Sequence, residues 1–558
     1  MQNKIKNWIK EILDIKDVVL MHPKDIKNGD YAFVVSPENA EKDAETLRQA
    51  QGDLREQIGK IEVAGRFINF YLSPKFFHGS VEEILNNKNF GKNNLYLGKK
   101  IMVEYTDPNP FKPFHIGHLM TNTIGESVAR ILEVSGAEVF RANYQGDVGL
   151  HVARAIYGLL KNENLQEQVG SHDVQASNIG NAYVFGAGAY EDNPEAKKEI
   201  DEINKKIYHR SDDKINSIYD WGFKVTMEAF EDFYKLLGTK FDYYFLESKV
   251  ADFGLEIVKE NKKIFQESEG AIVFKAEEYN KENQPKLHTR VFITSQDLPT
   301  YETKELGLTV EKFKIKPDMN LSVVVTANEQ LDYMRVVTKA IYLIYPEYTD
   351  KMKHITHGMM RFATGKMGSR KGNIVTGELL INDTIALVSE KVKDRDWDED
   401  FKKKISQQVG VSAIKYSILK QSTVGDIAYD FETSISFEGD SGPYLQYSYA
   451  RARSVLERAT KENILPDPHS DSTEIFEIEK LLYRFPEVVE RGVREYEPHY
   501  IANYLIEIAR SFNSFYGNNV IVNKEDKNSG YFVALTFAFT FVMKKGLHLL
   551  GIESPEKM

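Results

Sequence analysis

The sequence predicts a multidomain α/β protein: a parallel-sheet domain with an insertion, a small α+β module before it and an all-helical region after it. Three observations support this prediction. At 558 residues the chain is too long for one hydrophobic core. A buried strand, a proline-containing loop and a helix follow one another between Ile101 and Ser135, as in a parallel βαβ unit. Repeated amphipathic helical patterns occupy the chain from about residue 385 onward.

Residues 1 to about 95 are predicted to form the small α+β module. Its first helix is indicated by apolar residues with helical spacing at Ile5, Trp8, Ile9, Ile12 and Leu13. Two strand-like segments follow, YAFVV from Tyr31 and FINFYL from Phe67. The polar stretch from Asn86 to Lys100 is typical of a linker, so the module is expected to end near residue 95.

Residues 96–385 are predicted to form the parallel-sheet domain. Its first half runs from the strand Ile101–Tyr105 to about Gly149. A charged, helix-rich insertion is expected from about residue 150 to 290, because the pattern there is less regular. The second half is then predicted to resume with the strand-like segments Arg290–Ser295 and Leu321–Asn328, and to continue to a strand at Ile355–Met360.

Residues 386–558 are predicted to be helical throughout, because several long segments there repeat apolar residues with the helical period. The most apolar stretch is Tyr531–Met543. It is too short to cross a bilayer and is expected to be a buried helix.

The composition is that of a soluble globular protein, with 42% hydrophobic and 28% charged residues. The absence of cysteine excludes disulfides and thiolate-bound zinc. The first residues lack the apolar core of a signal peptide and contain acids, so a cytoplasmic location without membrane attachment is expected. The net charge of −11 argues mildly against nucleic-acid binding, but basic clusters at 361–371 and 451–458 keep such a partner open.

The most informative motif is His115-Ile-Gly-His118, between the loop after the first strand and the following helix. The free N–H groups of a helix N-terminus attract phosphate, and two imidazoles spaced i, i+3 can face the same phosphate. Gly117 is expected to leave room for a flat base. The alternative interpretation of the tetrapeptide alone is two structural histidines in a loop.

A second motif lies far downstream, between His354 and Asn373. A strand-like segment leads there into a loop with glycines and several basic residues. Such a loop suits closure over a triphosphate, which requires backbone freedom, hydrogen-bond donors and positive charge. Taken alone, it is more often a solvated basic turn.

The two motifs resemble the HIGH and KMSKS signatures of class I aminoacyl-tRNA synthetases, the second with the wording Lys366-Met367-Gly368-Ser369-Arg370. The surrounding sequence resembles the arginyl-tRNA synthetase family over nearly the whole chain. Further matching segments occur in family order at 22–37, 66–73, 437–451 and 546–558. The resemblance implies an additional tRNA-contacting module at 1–95, a Rossmann-like catalytic domain at 96–385 and a helical anticodon-binding domain at 386–558.

The resemblance also implies the reaction: L-arginine is activated with ATP to arginyl-adenylate and then transferred to the 3′ end of tRNA(Arg). His115, His118 and Lys366 would be catalytic, and Gly117 would bind ATP together with the basic loop, Met367, Gly368, Ser369 and Arg370. This loop has Ser369 where the family signature has its second lysine, and Lys112 is a plausible substitute. Mg²⁺ would be carried by the ATP phosphates, and no metal ligand in the protein can be named.

Four residues match the family's contacts to the amino acid: Asn109, Glu247, Tyr301 and Gln330. A carboxylate such as Glu247 suits a guanidinium, which prefers a planar acceptor pair. Glu305 stands where the family more often has an aspartate. Asp147 is expected to line the ATP or amino-acid pocket.

In the helical region, the resemblance suggests tRNA contacts at Tyr444, Gln446, Tyr447 and Arg451. Aromatic and basic side chains near a loop suit stacking on unpaired bases, although tyrosines at this density are also typical of a helical core. A monomer is expected. The family resemblance further implies that activation requires bound tRNA.

Three other assignments fit the sequence less well. Another class I synthetase is disfavoured by the absence of cysteine, by the little room for an editing domain and by the N-terminal module. A non-catalytic RNA-binding relative would be expected to lose His115, His118 or Lys366, and all three are present. A small nucleotidyltransferase that acts without tRNA is disfavoured by the helical C-terminal third.

Overall fold

The computed structural model describes residues 1–162, 172–362, 376–469 and 474–558. The N-terminal module is an antiparallel sheet with helices, as predicted. Its elements are α1 (Gln2–Leu13), β1 (Leu20–Met21), β2 (Tyr31–Val34), α2 (Ala40–Gln49), β3 (Ile58–Ala64), β4 (Phe67–Leu72) and α3 (Pro74–Asn86). The strand order is β1-β2-β4-β3. The amphipathic α1 buries Ile5 and Ile9 against this sheet.

The central part is built on a five-stranded, all-parallel sheet of order β12-β11-β5-β6-β7. The elements of this part are β5 (Lys100–Glu104), α4 (Ile116–Val134), β6 (Glu138–Gln145), α5 (Leu150–Lys161), α6 (His172–Asp192), α7 (Pro194–His209), α8 (Asp213–Leu236), β7 (Tyr243–Leu246), α9 (Glu247–Glu260), β8 (Gln266–Ser268), β9 (Ala271–Phe274), β10 (Arg290–Ile293), α10 (Tyr301–Ile315), β11 (Leu321–Ala327), α11 (Leu331–Ile344), β12 (Met352–His357) and β13 (Met360–Phe362). The Rossmann-like topology is confirmed.

One strand assignment was wrong. The segment at Arg290–Ser295 does not resume the parallel sheet, because β10 pairs antiparallel with β9 in a separate three-stranded sheet. The fifth strand of the main sheet is instead β7, which lies inside the predicted insertion and pairs with β6. The helical part of the insertion, α5 to α8, packs around its own core.

The C-terminal part is mostly helical, as predicted, with one short strand that pairs with β13. Its elements are α12 (Gly377–Val392), α13 (Glu399–Leu419), β14 (Ile427–Tyr429), α14 (Phe431–Ser434), α15 (Gly442–Lys461), α16 (Glu477–Leu482), α17 (Phe485–Glu495), α18 (His499–Asn518) and α19 (Ser529–Leu549). By length and composition α19 could cross a membrane, but most of its apolar residues are buried in the helical bundle.

The main hydrophobic core joins the sheet to the helical bundle. On β5, Ile101 and Val103 face this core, whereas Met102 faces a second core with Leu308 on the opposite side of the sheet. This alternation is expected for a parallel strand covered on both faces. Helix α4 lies between the sheet and the bundle, and its Ser127 hydroxyl donates a hydrogen bond to the carbonyl oxygen of Leu549 (2.8 Å).

Candidate active site

The carboxyl ends of the parallel strands form one edge, called here the carboxyl edge. The loop after β5 carries Asn109 and His115, Gly146 follows β6, Glu247 follows β7 and Gln330 follows β11. In open parallel sheets, ligands bind in the crevice outside this edge. Residues that are far apart in sequence therefore meet where a substrate is expected.

His115 and His118 hold each other in place at the N-terminus of α4. The Nδ1 atom of His115 accepts a hydrogen bond from the His118 backbone N–H (3.3 Å), and the Nδ1 atom of His118 accepts one from the His115 backbone N–H (3.2 Å). Their rings stack, with centroids 3.4 Å apart. This reciprocal capping satisfies two backbone donors and fixes both rings.

This arrangement also fixes the protonation of the two rings. Burial, followed by the charge of Lys112, lowers the pKa of His115 to about 4, although the side chain reaches the surface. Burial, then the neighbouring His115, places the pKa of His118 well below its ordinary value. Because each neutral ring accepts at Nδ1, its proton is on Nε2. The site therefore presents two Nε2–H donors, and neither has a partner among the residues that the structure describes.

The packing of His115 gives a second reason for glycine at position 117, besides the expected room for a base. A Cβ atom at this position would lie 2.9 Å from Cε1 of His115. The glycine therefore makes room for the histidine ring that caps the helix. Phe114 packs behind the pair, 5.4 Å from the His118 ring centroid.

The predicted basic loop, with Lys366, Met367, Gly368, Ser369 and Arg370, lies outside the described residues. The residues at the start of α12 lie next to the first histidine. Thr376 forms an isolated antiparallel bridge with His115, and the Gly377 N–H donates to the carbonyl oxygen of Phe114 (2.7 Å). Thr376 and Gly377, at the start of α12, therefore contact the backbone at His115 and directly before it.

Lys112 is partly buried at the same end of α4. Its Nζ atom lies 5.5 Å from the ring centroid of Tyr183. Burial, then the charge of Arg154, lowers its pKa from the ordinary value. Its charge in turn lowers the pKa of both signature histidines, so Lys112 lies within electrostatic range of the expected phosphate site.

Asn109, Gly146 and Glu247 converge on one point. A Cβ atom at Gly146 would lie 2.0 Å from Oδ1 of Asn109 and 3.3 Å from Oε2 of Glu247. Only glycine allows this approach. Gln330, at the start of α11, is partly buried, and no hydrogen bond of its side chain is seen within the described ranges.

Glu247 is buried and forms an ion pair with Lys304. Burial raises the pKa of Glu247, and the charge of Lys304 opposes that shift. Tyr301 lies at the mouth of this pocket with 74% of its surface exposed, and Lys304 lies 5.4 Å from its ring centroid. A carboxylate, an ammonium group and an exposed aromatic ring thus line one pocket.

Asp147 has a structural role in this conformation. Its carboxylate accepts hydrogen bonds from the backbone N–H and the hydroxyl of Ser248 (2.9 and 2.6 Å) and from the hydroxyl of Tyr219 (3.1 Å). It joins the loop after β6 to α8 and α9. Gly149 begins α5 with a positive φ of 123°, a conformation that favours glycine.

A second group of buried charges includes Glu104 and Glu305, which share with Glu247 an electrostatic effect on Tyr144. The Nζ atom of Lys312 lies 2.5 Å from Oε2 of Glu104, and Lys312 is fully buried. Glu305 is 6% exposed, and its Oε1 atom has no hydrogen-bond partner in the part of the chain that the structure describes. Burial, then the nearby Glu104, raises the pKa of Glu305 to about 7.

In the helical bundle, Tyr444, Tyr447 and Arg451 lie on one face of α15. Arg451 donates hydrogen bonds to the hydroxyl of Tyr447 (3.1 Å) and to Oδ1 of Asn513 (2.6 Å). A cavity of about 410 Å³ and another of about 970 Å³ both contain Tyr447 and Arg451 in their walls, together with Trp397.

Gln446 differs from these three residues. It is 0% exposed, and its amide donates to the carbonyl oxygens of Gln408 (3.3 Å) and Glu553 (2.8 Å). It therefore joins α15 to α13 and to the chain after α19. The structure places it in the interior, where RNA does not reach it.

Sequence reasoning missed Lys304, Lys312 and Tyr144. The hydroxyl of Tyr144, on β6, is buried without a hydrogen-bond partner among the described residues. The signal for Lys312 was its spacing from Glu305, which puts the two residues two turns apart on one face of α10. A lysine on a helix face that is otherwise buried needs a buried partner.

Two family models match the chain. The model for tRNA synthetases class I (R), catalytic domain, matches residues 80–431, and the model for the DALR anticodon binding domain matches residues 445–558. Together they cover the carboxyl edge and the bundle.

The similar proteins agree with these models. Arginine--tRNA ligase of Clostridium perfringens is 30% identical over 98% of this chain and 97% of its own length. The same enzyme of Clostridium botulinum is 30% identical over the full length of both chains. In fold, the chain is similar to Thermus thermophilus arginyl-tRNA synthetase (TM-score 0.79, 21% identity, both chains fully covered). The chain therefore belongs to the arginine--tRNA ligase family of class I aminoacyl-tRNA synthetases.

Proposed function

We propose that this arginine--tRNA ligase forms arginyl-adenylate at the carboxyl edge and transfers arginine to tRNA(Arg) from there. The observation that supports this placement is the pair of Nε2–H donors of His115 and His118 at the N-terminus of α4, next to a pocket of buried carboxylates. One half of the site suits phosphate and the other suits a cation.

The first step is attack of the arginine carboxylate on the α-phosphorus of ATP, with pyrophosphate as the leaving group. No protein nucleophile is needed, because positioning and stabilisation of the phosphate charge lower the barrier. The fixed, neutral imidazoles of His115 and His118 donate hydrogen bonds to phosphate oxygens without having to change protonation. Lys112 and the loop Lys366–Arg370, with Met367, Gly368 and Ser369, supply further donors and charge.

Arginine is assigned to the pocket lined by Glu247, Lys304 and Tyr301. Asn109 and Gln330 bind its α-amino or carboxylate group, and Tyr301 lies at the mouth. Glu247 is shared with Lys304, so the guanidinium needs either to replace that lysine or to use a second carboxyl. Glu305, buried and without a cation of its own, is the available second carboxyl.

The tRNA is assigned to both end domains, with Tyr444, Tyr447 and Arg451 facing the anticodon, and Gln446 is withdrawn from that set. We keep the proposed division at 1–95, 96–385 and 386–558. The proposal also includes a cytoplasmic monomer whose activation step requires bound tRNA. Mg²⁺ is assigned to the ATP phosphates, because it prefers substrate phosphates and water as ligands.

ATP–pyrophosphate exchange with each of the twenty amino acids, with and without tRNA, tests this proposal. Exchange is expected with arginine only, and only when tRNA is added. Exchange with another amino acid would contradict the substrate. Arginine-dependent exchange in a His115→Asn, His118→Asn double variant at the rate of the unmodified chain would contradict the site.

A further inference from the structure

The arginine pocket contains more buried carboxyl groups than cations. Glu104, Asp107 and Glu305 lie within electrostatic range of one another, and Tyr144 lies within range of Glu247, Glu305 and Glu104. The buried lysines of this group are Lys304 and Lys312, and Lys112 also acts on Glu247. Both buried lysines already have a partner, because Lys304 pairs with Glu247 and Lys312 with Glu104. Two carboxyl groups, Asp107 and Glu305, have no lysine of their own.

Asp107 has partial compensation. Its Oδ1 atom accepts a hydrogen bond from the backbone N–H of Tyr144 (2.7 Å). Glu305 is less well compensated, since its Oε1 atom has no hydrogen-bond partner within the described residues. A buried carboxylate without a cation is costly, and such a group keeps its proton instead.

The groups in electrostatic range of Glu305 lie on several elements. Glu104 on β5 and Asp107 in the following loop are acidic, Tyr144 on β6 and Tyr333 on α11 are neutral phenols, and Glu302 and Lys312 share α10 with Glu305. Glu302 has its own partner in Arg290, at 3.5 Å. Lys312 is thus the cation that acts on Glu305, and it already forms an ion pair with Glu104.

We propose that arginine binding displaces a proton from this carboxyl cluster, with the substrate guanidinium taking the place of the proton on Glu305. The step is balanced: the Glu305 carboxylic acid gives its proton to solvent, and the resulting carboxylate pairs with the guanidinium cation. This inference rests on the proposed function, because it assigns arginine to this pocket.

The electrostatics agree with the geometry. Burial, then Glu104, raises the pKa of Glu305 to about 7 and places the pKa of Asp107 well above its ordinary value. The empty pocket is therefore partly protonated at neutral pH. A guanidinium can displace this proton, whereas the neutral urea group of citrulline cannot. The cluster thus selects the charge of the substrate as well as its shape.

Isothermal titration calorimetry of the full chain with arginine tests the proposal. Titrations at pH 7 in phosphate and in Tris, buffers with different ionisation enthalpies, give the number of protons released. A substantial fraction of one proton is expected. Between pH 6 and pH 8 the apparent Kd for arginine is expected to tighten about tenfold, as for one displaced proton with a pKa near 7.

Two variants sharpen the test. Glu305→Gln is expected to abolish proton release at pH 7 and to weaken arginine binding. The control is Glu479→Gln in the bundle, where another buried glutamate has its pKa raised to about 7. This control is expected to keep the proton release of the unmodified chain, because Glu479 lies between α16 and α19, with Tyr531 as its partner.

The outcomes separate the two ideas. Arginine binding with equal heats in the two buffers and a Kd that does not change with pH would overturn the proton displacement and leave the substrate assignment intact. Equal proton release in the Glu305→Gln variant would also overturn it. No arginine binding at any pH, with or without tRNA, would overturn the assigned substrate and this inference with it.

Discussion

Two regions of buried charge lie against the same sheet, and they differ in how completely their charges are matched. In the Glu126 cluster, formed by Tyr105, Glu126, Arg130 and Arg141, one carboxylate accepts hydrogen bonds from both guanidinium groups and from the phenol. Burial raises its pKa, but Arg141 and Arg130 hold it below the ordinary value. At the carboxyl edge, Glu305 has no such partner and its pKa is about 7.

This difference distinguishes charged groups that stabilise the fold from charged groups that bind substrate. A fully bonded cluster stabilises the fold and has no capacity for a ligand. Unmatched groups cost folding free energy, and they mark the places where substrate charge completes the network. The Nε2–H donors of His115 and His118 belong with Glu305 in this respect.

The largest expected effect tests the matched side. Glu126→Gln leaves Arg130 and Arg141 without their carboxylate and is expected to cost about 3–5 kcal/mol in the free energy of unfolding. Urea denaturation measures this cost. The activation rate per folded molecule is expected to stay unchanged. A variant as stable as the unmodified chain would contradict the structural role of the cluster.

The next effect tests the unmatched donors. His118→Asn keeps an acceptor near the Nδ1 position but removes the Nε2–H, and is expected to lower the pyrophosphate-exchange kcat roughly 100- to 1,000-fold. His118→Gln, which places an N–H near the Nε2 position, is expected to recover part of the rate. The control is Ser127→Ala, more than two turns along α4 from His118, which is expected to cost about 1 kcal/mol of stability with kcat retained. Equal losses of kcat in the Asn variant and this control would show that the effect comes from damage to α4 and not from loss of the Nε2–H donor.

A smaller effect concerns the replacement for the missing lysine. Lys112→Ala is expected to lower the activation rate roughly 10- to 100-fold while changing ATP affinity little, because its charge matters most when the phosphate charge develops. Exchange kinetics at varied ATP separate kcat from KM. Normal turnover in this variant would show that Lys112 does not supply the charge.

The fourth effect lies in the bundle. Arg451→Gln removes a cation that lies 4.7 Å from the Tyr447 ring centroid and 5.1 Å from that of Tyr516, and is expected to raise the KM for tRNA about tenfold with little change in kcat. Aminoacylation at varied tRNA measures this. Gln446→Leu is the contrasting variant, expected to reduce stability instead of tRNA affinity. An unchanged KM in the Arg451 variant would remove this face from the tRNA surface.

The smallest effect is a pH dependence of opposite sign in the two regions. The folded-state pKa of Glu305 lies above its unfolded value, so its contribution to stability is lost as pH rises from about 4 to about 7. The pKa of Glu126 lies below its unfolded value, so its contribution is lost as pH falls below about 4. Unfolding free energies of Glu305→Gln and Glu126→Gln relative to the unmodified chain, measured from pH 2 to 8, should show opposite slopes: that of Glu305 between about pH 4 and 7, and that of Glu126 below about pH 4.

The sequence predicted the elements whose local pattern is distinctive. The strand before the first histidine and the long helix after it were confirmed within a residue of their bounds. The strand at Arg290 was assigned to the wrong sheet, because a short apolar run does not specify its neighbour. The strand β7 was missed, since it has four residues and α9 follows without a gap.

At the site, sequence motifs placed the residues at the ends of strands, because parallel topology brings these ends together. The spacing on α10 indicates that Lys312 is buried, but the partners of Lys304 and Lys312 could not be predicted, since they depend on how α10 packs against β5 and α9. Gln446 could have been recognised as interior. Tyr444, Tyr447 and Arg451 share one face of α15, and Gln446 directly precedes Tyr447, about 100° around the helix from it.

The shared core of the sheet and the bundle has one more consequence. Val103 and Leu119 from the central part belong to the same hydrophobic cluster as Leu445 and Phe539 from the bundle. The helical bundle is therefore not an independently folding unit that can be exchanged without changing the sheet domain. A chimaera that grafts another family's bundle onto this sheet would uncover an apolar face and is expected to aggregate, unless the graft also carries the residues that pack against α4. Exchange of the bundle during evolution would require matching changes in the bundle and in the residues of the sheet domain that pack against it.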